Sequence, residues 1–109
     1  MSSREERLSR NEAISRDINE GIESALGEIS AEGFVRMLCE CSNAGCEELI
    51  AISVEEYEGV RRNPRTFAVW IDHVTPEVED VVSQTDRFTV VRKRDGDPAE
   101  VAEATDPRS

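Results

Sequence analysis

The chain has 109 residues and a formal net charge of −11, with 24 acidic and 13 Lys or Arg side chains. That length fits one domain with an added helix and excludes a second full core. No apolar run is long enough to span a membrane, and the charged start MSSREERLSR has no apolar signal region. The acidic balance argues against a protein that holds nucleic acid by bulk electrostatics. Its three cysteines are an odd number crowded between positions 39 and 46, a poor disulfide framework that points to a reducing cytoplasm.

Apolar residues are unevenly spread, with eight in 1–28, 29 in 29–94 and four in 95–109. The core therefore belongs to 29–94, read as a compact, zinc-stabilised α+β domain. Residues 1–28 read as an N-terminal amphipathic helical arm and 95–109 as an acidic mobile tail. A core this small gains from a metal or a partner.

In chain order, the arm predicts one helix from about Arg4 to Leu26. At about 100° per residue, Leu8, Ile14, Ile18, Ile22, Ala25, Leu26 and Ile29 share one stripe, with Asn11 inside it. Such a stripe predicts contact with a protein partner or a second copy, through Leu8, Asn11, Ile14, Ile18, Ile22 and Leu26, with packing back on the centre as the alternative. Asn11 is placed as a polar residue that sets register between paired helices. Phe34–Leu38 and Glu48–Ile52 read as strands. Ser53 and Glu56 form a capping box for a helix with Val54, Tyr57 and Val60 inward, which Asn63-Pro64 ends. Thr66–Ile71 reads as a third strand. Thr75 and Pro76 predict a second short helix with Val78, Val81 and Val82 inward. Arg87–Lys93 alternates as a last strand. The order is helix, then β-β-α-β-α-β, an α+β fold with a small, mostly antiparallel sheet. Asp95-Gly96-Asp97-Pro98 is turn chemistry, after which Ala99, Val101 and Ala102 can form a helical turn against the body.

The strongest chemistry is Cys39-Glu40-Cys41-Ser42-Asn43-Ala44-Gly45-Cys46, a C-x-C-x4-C pattern. Cys39 and Cys41 at a strand end project from one face, and Asn-Ala-Gly is a turn that returns Cys46 toward them. A structural zinc site takes four ligands. His73, the single histidine, lies in a loop after the third strand and supplies the fourth, with Asp72 a candidate to support the imidazole from behind without binding the metal. Two readings stand beside zinc: small buried thiols filling a core, and a redox pair. Glu40 and Glu47 flank the cysteines and read as surface acids.

The stretch Phe34 through Cys46, followed by Val54-Glu55-Glu56-Tyr57-Glu58-Gly59-Val60-Arg61, Phe67-Ala68-Val69 and His73, resembles a group of small uncharacterised bacterial proteins from high-GC Gram-positive organisms. The ends are similar too, in Arg10-Asn11-Glu12-Ala13, Asn19-Glu20 and residues 102–108. The group has Gly-His-Glu where this chain reads Asp72-His73-Val74, so the histidine matches and its neighbours do not. The resemblance implies no particular activity.

A Cys3His set fills a tetrahedron and leaves no open position for catalysis. There is no H-E-x-x-H and no second histidine for base work, and the deaminase pattern is missing. The glycines are scattered rather than gathered in a phosphate loop. Two basic clusters, Arg61-Arg62 with Arg65 and Arg92-Lys93-Arg94, read as solvated ends paired with abundant acids, with a local nucleic-acid patch as the alternative. The expected function is a non-catalytic zinc-binding interaction module, a small regulatory or accessory factor. The alternatives are a thiol and zinc redox sensor, and a small enzyme or nucleic-acid-contacting accessory protein.

Overall fold

The computed structural model describes residues 3–26, 33–41 and 46–108. Helix α1 (Ser3–Leu26) precedes β1 (Phe34–Leu38), β2 (Leu49–Ser53), α2 (Val54–Arg61), β3 (Thr66–Val69), β4 (Glu79–Gln84), β5 (Thr89–Lys93) and α3 (Asp97–Ala104). This is an α+β fold with two small antiparallel sheets. β1 pairs with β2 from Phe34↔Ser53 to Leu38↔Leu49, and the other sheet has the order β3-β5-β4. Alternation in the first pair turns Val35, Met37, Ile50 and Ile52 into a core completed by Tyr57 and Val60 of α2 and by Ala68, Phe88 and Val90. A second cluster gathers Cys39, Cys41, Phe67, Val69, Val91 and Ala102.

α2 starts where local chemistry requires it. Ser53 Oγ accepts from the Glu56 N–H at 3.0 Å, and the Ser53 N–H donates back to Glu56 Oε1 at 2.9 Å. Those reciprocal bonds satisfy two donors that a helix start would otherwise leave open.

The helix expected after Thr75 is instead strand β4. The Val78 N–H bonds to Thr75 O at 3.1 Å, which closes a single turn before the chain extends. Valines are stiff at χ1 and fit a pleated surface, and the 78, 81, 82 spacing does not separate the two periods. Only Val78 is buried; Val81 and Val82 are 52% and 56% exposed, and a register shift between Val81 and Ser83 bends this edge strand.

The segment expected as a mobile tail also differs. Residues 97–104 form α3, with Ala99 and Ala102 buried. Gly96 enters it at φ 102°, in the left-handed region that glycine tolerates.

Nor is α1 an arm. It packs on the body through its polar side: Glu12, Arg16 and Asn19 are buried, whereas Ile14 and Ile18 are 60% and 46% exposed. The inward face is thus turned roughly 100° from the apolar stripe, and Ile22 at the boundary packs on the first core. Arg16 lies over the Phe67 ring at 4.3 Å and donates to Pro64 O at 2.7 Å and Ala102 O at 2.6 Å. Glu20 takes Arg61 at 2.6 Å and Arg108 at 2.9 Å, and Arg61 also pairs with Asp106. These bonds tie both chain ends to one body. The side chains of Leu8 and Leu26, and residue Ile29, lie outside the described residues.

Lys93 Nζ sits buried between the carboxyl groups of Glu12 and Glu79. Burial raises the Glu12 carboxyl to about 8 against the pull of Lys93, and Glu79 adds to the rise. An acid whose pKa is higher folded than unfolded destabilises the fold as pH climbs from its ordinary range toward the folded value. Glu12→Gln removes that proton while leaving Lys93 paired with Glu79. Melting followed by circular dichroism should show little change at about pH 5 and a gain of roughly 5 °C or more at about pH 8.5.

Candidate metal centre

β1 runs on as an extended segment that bridges the two sheets. The Cys39 N–H donates to Glu48 O at 3.0 Å, beside β2, and the Glu40 N–H donates to Ala68 O at 2.9 Å, in β3. Successive side chains of an extended chain face opposite ways, so Cys39 and Cys41 share one side and Glu40 takes the other. Cys46 leads back into β2. His73 arrives from a turn after β3, closed by its N–H on Trp70 O at 2.9 Å, with Asp72 at φ 76°. A positive φ at that third turn position is tolerated by aspartate better than by most residues. Asp72 therefore shapes the backbone, and its side chain is exposed.

The ligand atoms of Cys39, Cys41, Cys46 and His73 all lie within 4.8 Å of one another, close enough to hold one metal ion. His73 Nδ1 is 3.5 Å from both Cys39 Sγ and Cys46 Sγ. One ring N–H cannot point well at two sulfurs, whereas a cation between the three atoms satisfies all of them. Cys39 and Cys41 are buried, Cys46 and His73 half-buried, and the cysteines are free thiols rather than a disulfide. The expected turn through residues 42–45 lies outside the described residues.

The backbone favours charge on these sulfurs. The Trp70 N–H donates to Cys39 Sγ at 3.0 Å, the Cys41 amide also bonds Cys39, and the Glu48 amide bonds Cys46. Acting the other way, the Cys41 thiol and burial push the Cys39 thiol well up, and burial raises Cys46. A divalent cation is the charge that turns such thiols into thiolates.

Glu40 is the residue that sequence reading misplaced. It is fully buried. Oε2 accepts from Asn19 Nδ2 at 2.9 Å and from the Tyr57 hydroxyl at 2.8 Å, and Oε1 accepts from the Ala68 N–H at 3.0 Å. Burial raises its carboxyl above the usual range, against those three bonds and the nearby Arg16. The signal was present in the spacing, since the residue between the two ligands of a C-x-C must face away from the metal, into another part of the interior. Glu47 is exposed as expected.

The remaining expected residues do not join this centre. Ile14 and Ile18 lie on the open face of α1, with Asn11 and Ile22 half-buried beside them. The basic clusters do not form one patch: Arg61 and Lys93 are buried ion pairs, Arg65 pairs with Asp95 and Glu103, and Arg94 with Asp80. Two clefts of about 360 and 370 Å³ flank the sheets, and neither is lined by any of the four ligand residues.

Comparison of the chain with protein-family models, curated proteins and solved structures finds no match. The geometry of the four side chains therefore carries the functional reading.

Cobalt(II) reports such geometry directly, because tetrahedral thiolate sites give intense absorption bands. Cobalt added to the reduced protein should give sulfur charge-transfer and strong visible bands. Cys41→Ser should weaken both, while His73→Ala should keep the charge-transfer band and alter the visible envelope.

Proposed function

We propose that this protein is a non-catalytic zinc-binding interaction module, a small regulatory or accessory factor of a reducing cytoplasm. The observation that carries the reading is the convergence of Cys39, Cys41, Cys46 and His73, from three separate stretches of chain, on one point. Zinc suits the donor set. With Zn–S about 2.3 Å and Zn–N about 2.0 Å, a zinc tetrahedron has S···N edges of about 3.5 Å, and the two sulfur-to-Nδ1 separations are each 3.5 Å. Three thiolates and an imidazole close the coordination shell and lower the metal's Lewis acidity, which favours a structural role.

The partner surface in this reading is the open face of α1, where Ile14 and Ile18 stay exposed although the helix is already docked. A second copy or another protein would cover them. A redox role is the second reading. Cys46 is the half-buried thiol of the set, the one an oxidant reaches first, and its oxidation would release the ion.

Protein purified without chelator should contain about one zinc per chain, and Cys41→Ser should lower both zinc content and stability. A folded wild-type protein without metal would refute the reading. Low peroxide that releases zinc, reversibly with reductant, would favour the sensor; resistance would favour the module. For the partner surface, light scattering of the full chain should show a dimer or a complex that Ile14→Glu with Ile18→Glu abolishes, zinc being retained. Surface substitution is the proper test, because removing α1 would strip buried Glu40 of its Asn19 partner.

A further inference from the structure

Asn19 is a buried carboxamide far from any ligand in sequence, yet it grips the strand that delivers two of them. Its Oδ1 accepts the Leu38 N–H at 2.8 Å, and its Nδ2 donates to Leu38 O at 2.8 Å and to Glu40 Oε2 at 2.9 Å. The first two bonds pair Asn19 with Leu38 as a neighbouring strand residue would, on the free edge of β1. Leu38 and Glu40 alternate with Cys39 and Cys41, so the groups that Asn19 holds are interleaved with the ligands. A shift of the 38–41 segment moves the sulfurs and breaks the Asn19 contacts together.

We infer that Asn19 is a positioning residue of the metal centre, and that through it metal occupancy controls how firmly α1 is docked. The inference rests on the metal reading above and adds the regulation of that site. Occupied, the centre pins Cys39 and Cys41, Glu40 stays inward, and α1 is latched. Emptied, the segment keeps its bonds to Glu48, Tyr57 and Ala68 but loses the cross-link through its sulfurs, and α1, with the exposed Ile14 and Ile18, loosens from the body. Because coupling between two sites is reciprocal, whatever loosens α1 through Asn19 must weaken metal binding.

Two measurements on the full-length chain test this. Zinc affinity, by competition with a chromophoric chelator, should fall about tenfold in Asn19→Ala, the low end for loss of a group that orients ligands. Asn19→Asp should be worse, since it sets a carboxylate against Glu40 and removes the donor to Leu38 O. Asn19→Asp combined with Glu40→Gln should recover part of the loss, because the glutamine amide then donates to the carboxylate introduced on α1. A residue that merely fills space would make aspartate the milder single change, without rescue. The second measurement needs no variant: hydrogen exchange over 10–24 should quicken about tenfold on zinc removal, by that reciprocity. Wild-type affinity in both Asn19 variants, or no rescue, or unchanged exchange in a chain that does bind zinc, would overturn the coupling and leave the metal reading standing. Failure of the wild-type chain to bind zinc would remove the metal reading itself.

Discussion

The fold is organised around a carboxylate that has no water to face. Glu40 lies between two metal-ligand candidates, and its oxygens are taken by an α1 amide, an α2 hydroxyl and a β3 backbone N–H. Burying such a group costs several kcal/mol unless its lone pairs are matched, so all three elements must stand where they do. The same peptide stretch sends Cys39 and Cys41 to the opposite side. One strand extension therefore fixes the interior polar hub and half of the candidate metal centre.

That constraint explains why α1 docks with its polar side inward. An apolar face would gain area against the body but would cost Glu40 its Asn19 donor, leave Lys93 with Glu79 alone, and remove the α1 donors to the Leu38, Pro64 and Ala102 carbonyls. Arg16, Asn19 and Glu12 supply those partners, and the stem of Arg16 adds a ring contact with Phe67. Breaking a buried polar match usually costs more than a single apolar contact returns. The apolar stripe is what remains for solvent or a partner.

How much was legible in the sequence follows the range of each interaction. The Ser53–Glu56 capping box, β1, β2 and the C-x-C alternation are local, and they read correctly. The candidate metal cluster was legible because its four residues belong to two scarce types with few other uses, even though His73 joins from 27 residues beyond Cys46. The inward face of α1 was hidden because its partners lie far along the chain, Lys93 being 81 residues from Glu12 and Ala102 86 from Arg16. Hydrophobic periodicity marked the face that stays open at Ile14 and Ile18 and gave no sign that the polar side docks. Val78, Val81 and Val82 fit helix and strand spacing alike, and the pairing of β4 with β5 decided between them. Ala99 and Ala102 were legible as a helical turn against the body, and they bury α3, although so small an apolar face did not outweigh the acidic composition that suggested a mobile tail.

The central claim is a closed tetrahedral site built by three thiolates and one imidazole. X-ray absorption at the zinc edge, on protein purified under reducing conditions, tests it most directly. The account predicts three sulfurs at about 2.3 Å and one nitrogen at about 2.0 Å, with no oxygen neighbour. A shell dominated by oxygen and nitrogen, or one in which His73→Ala leaves the nitrogen in place, would contradict it.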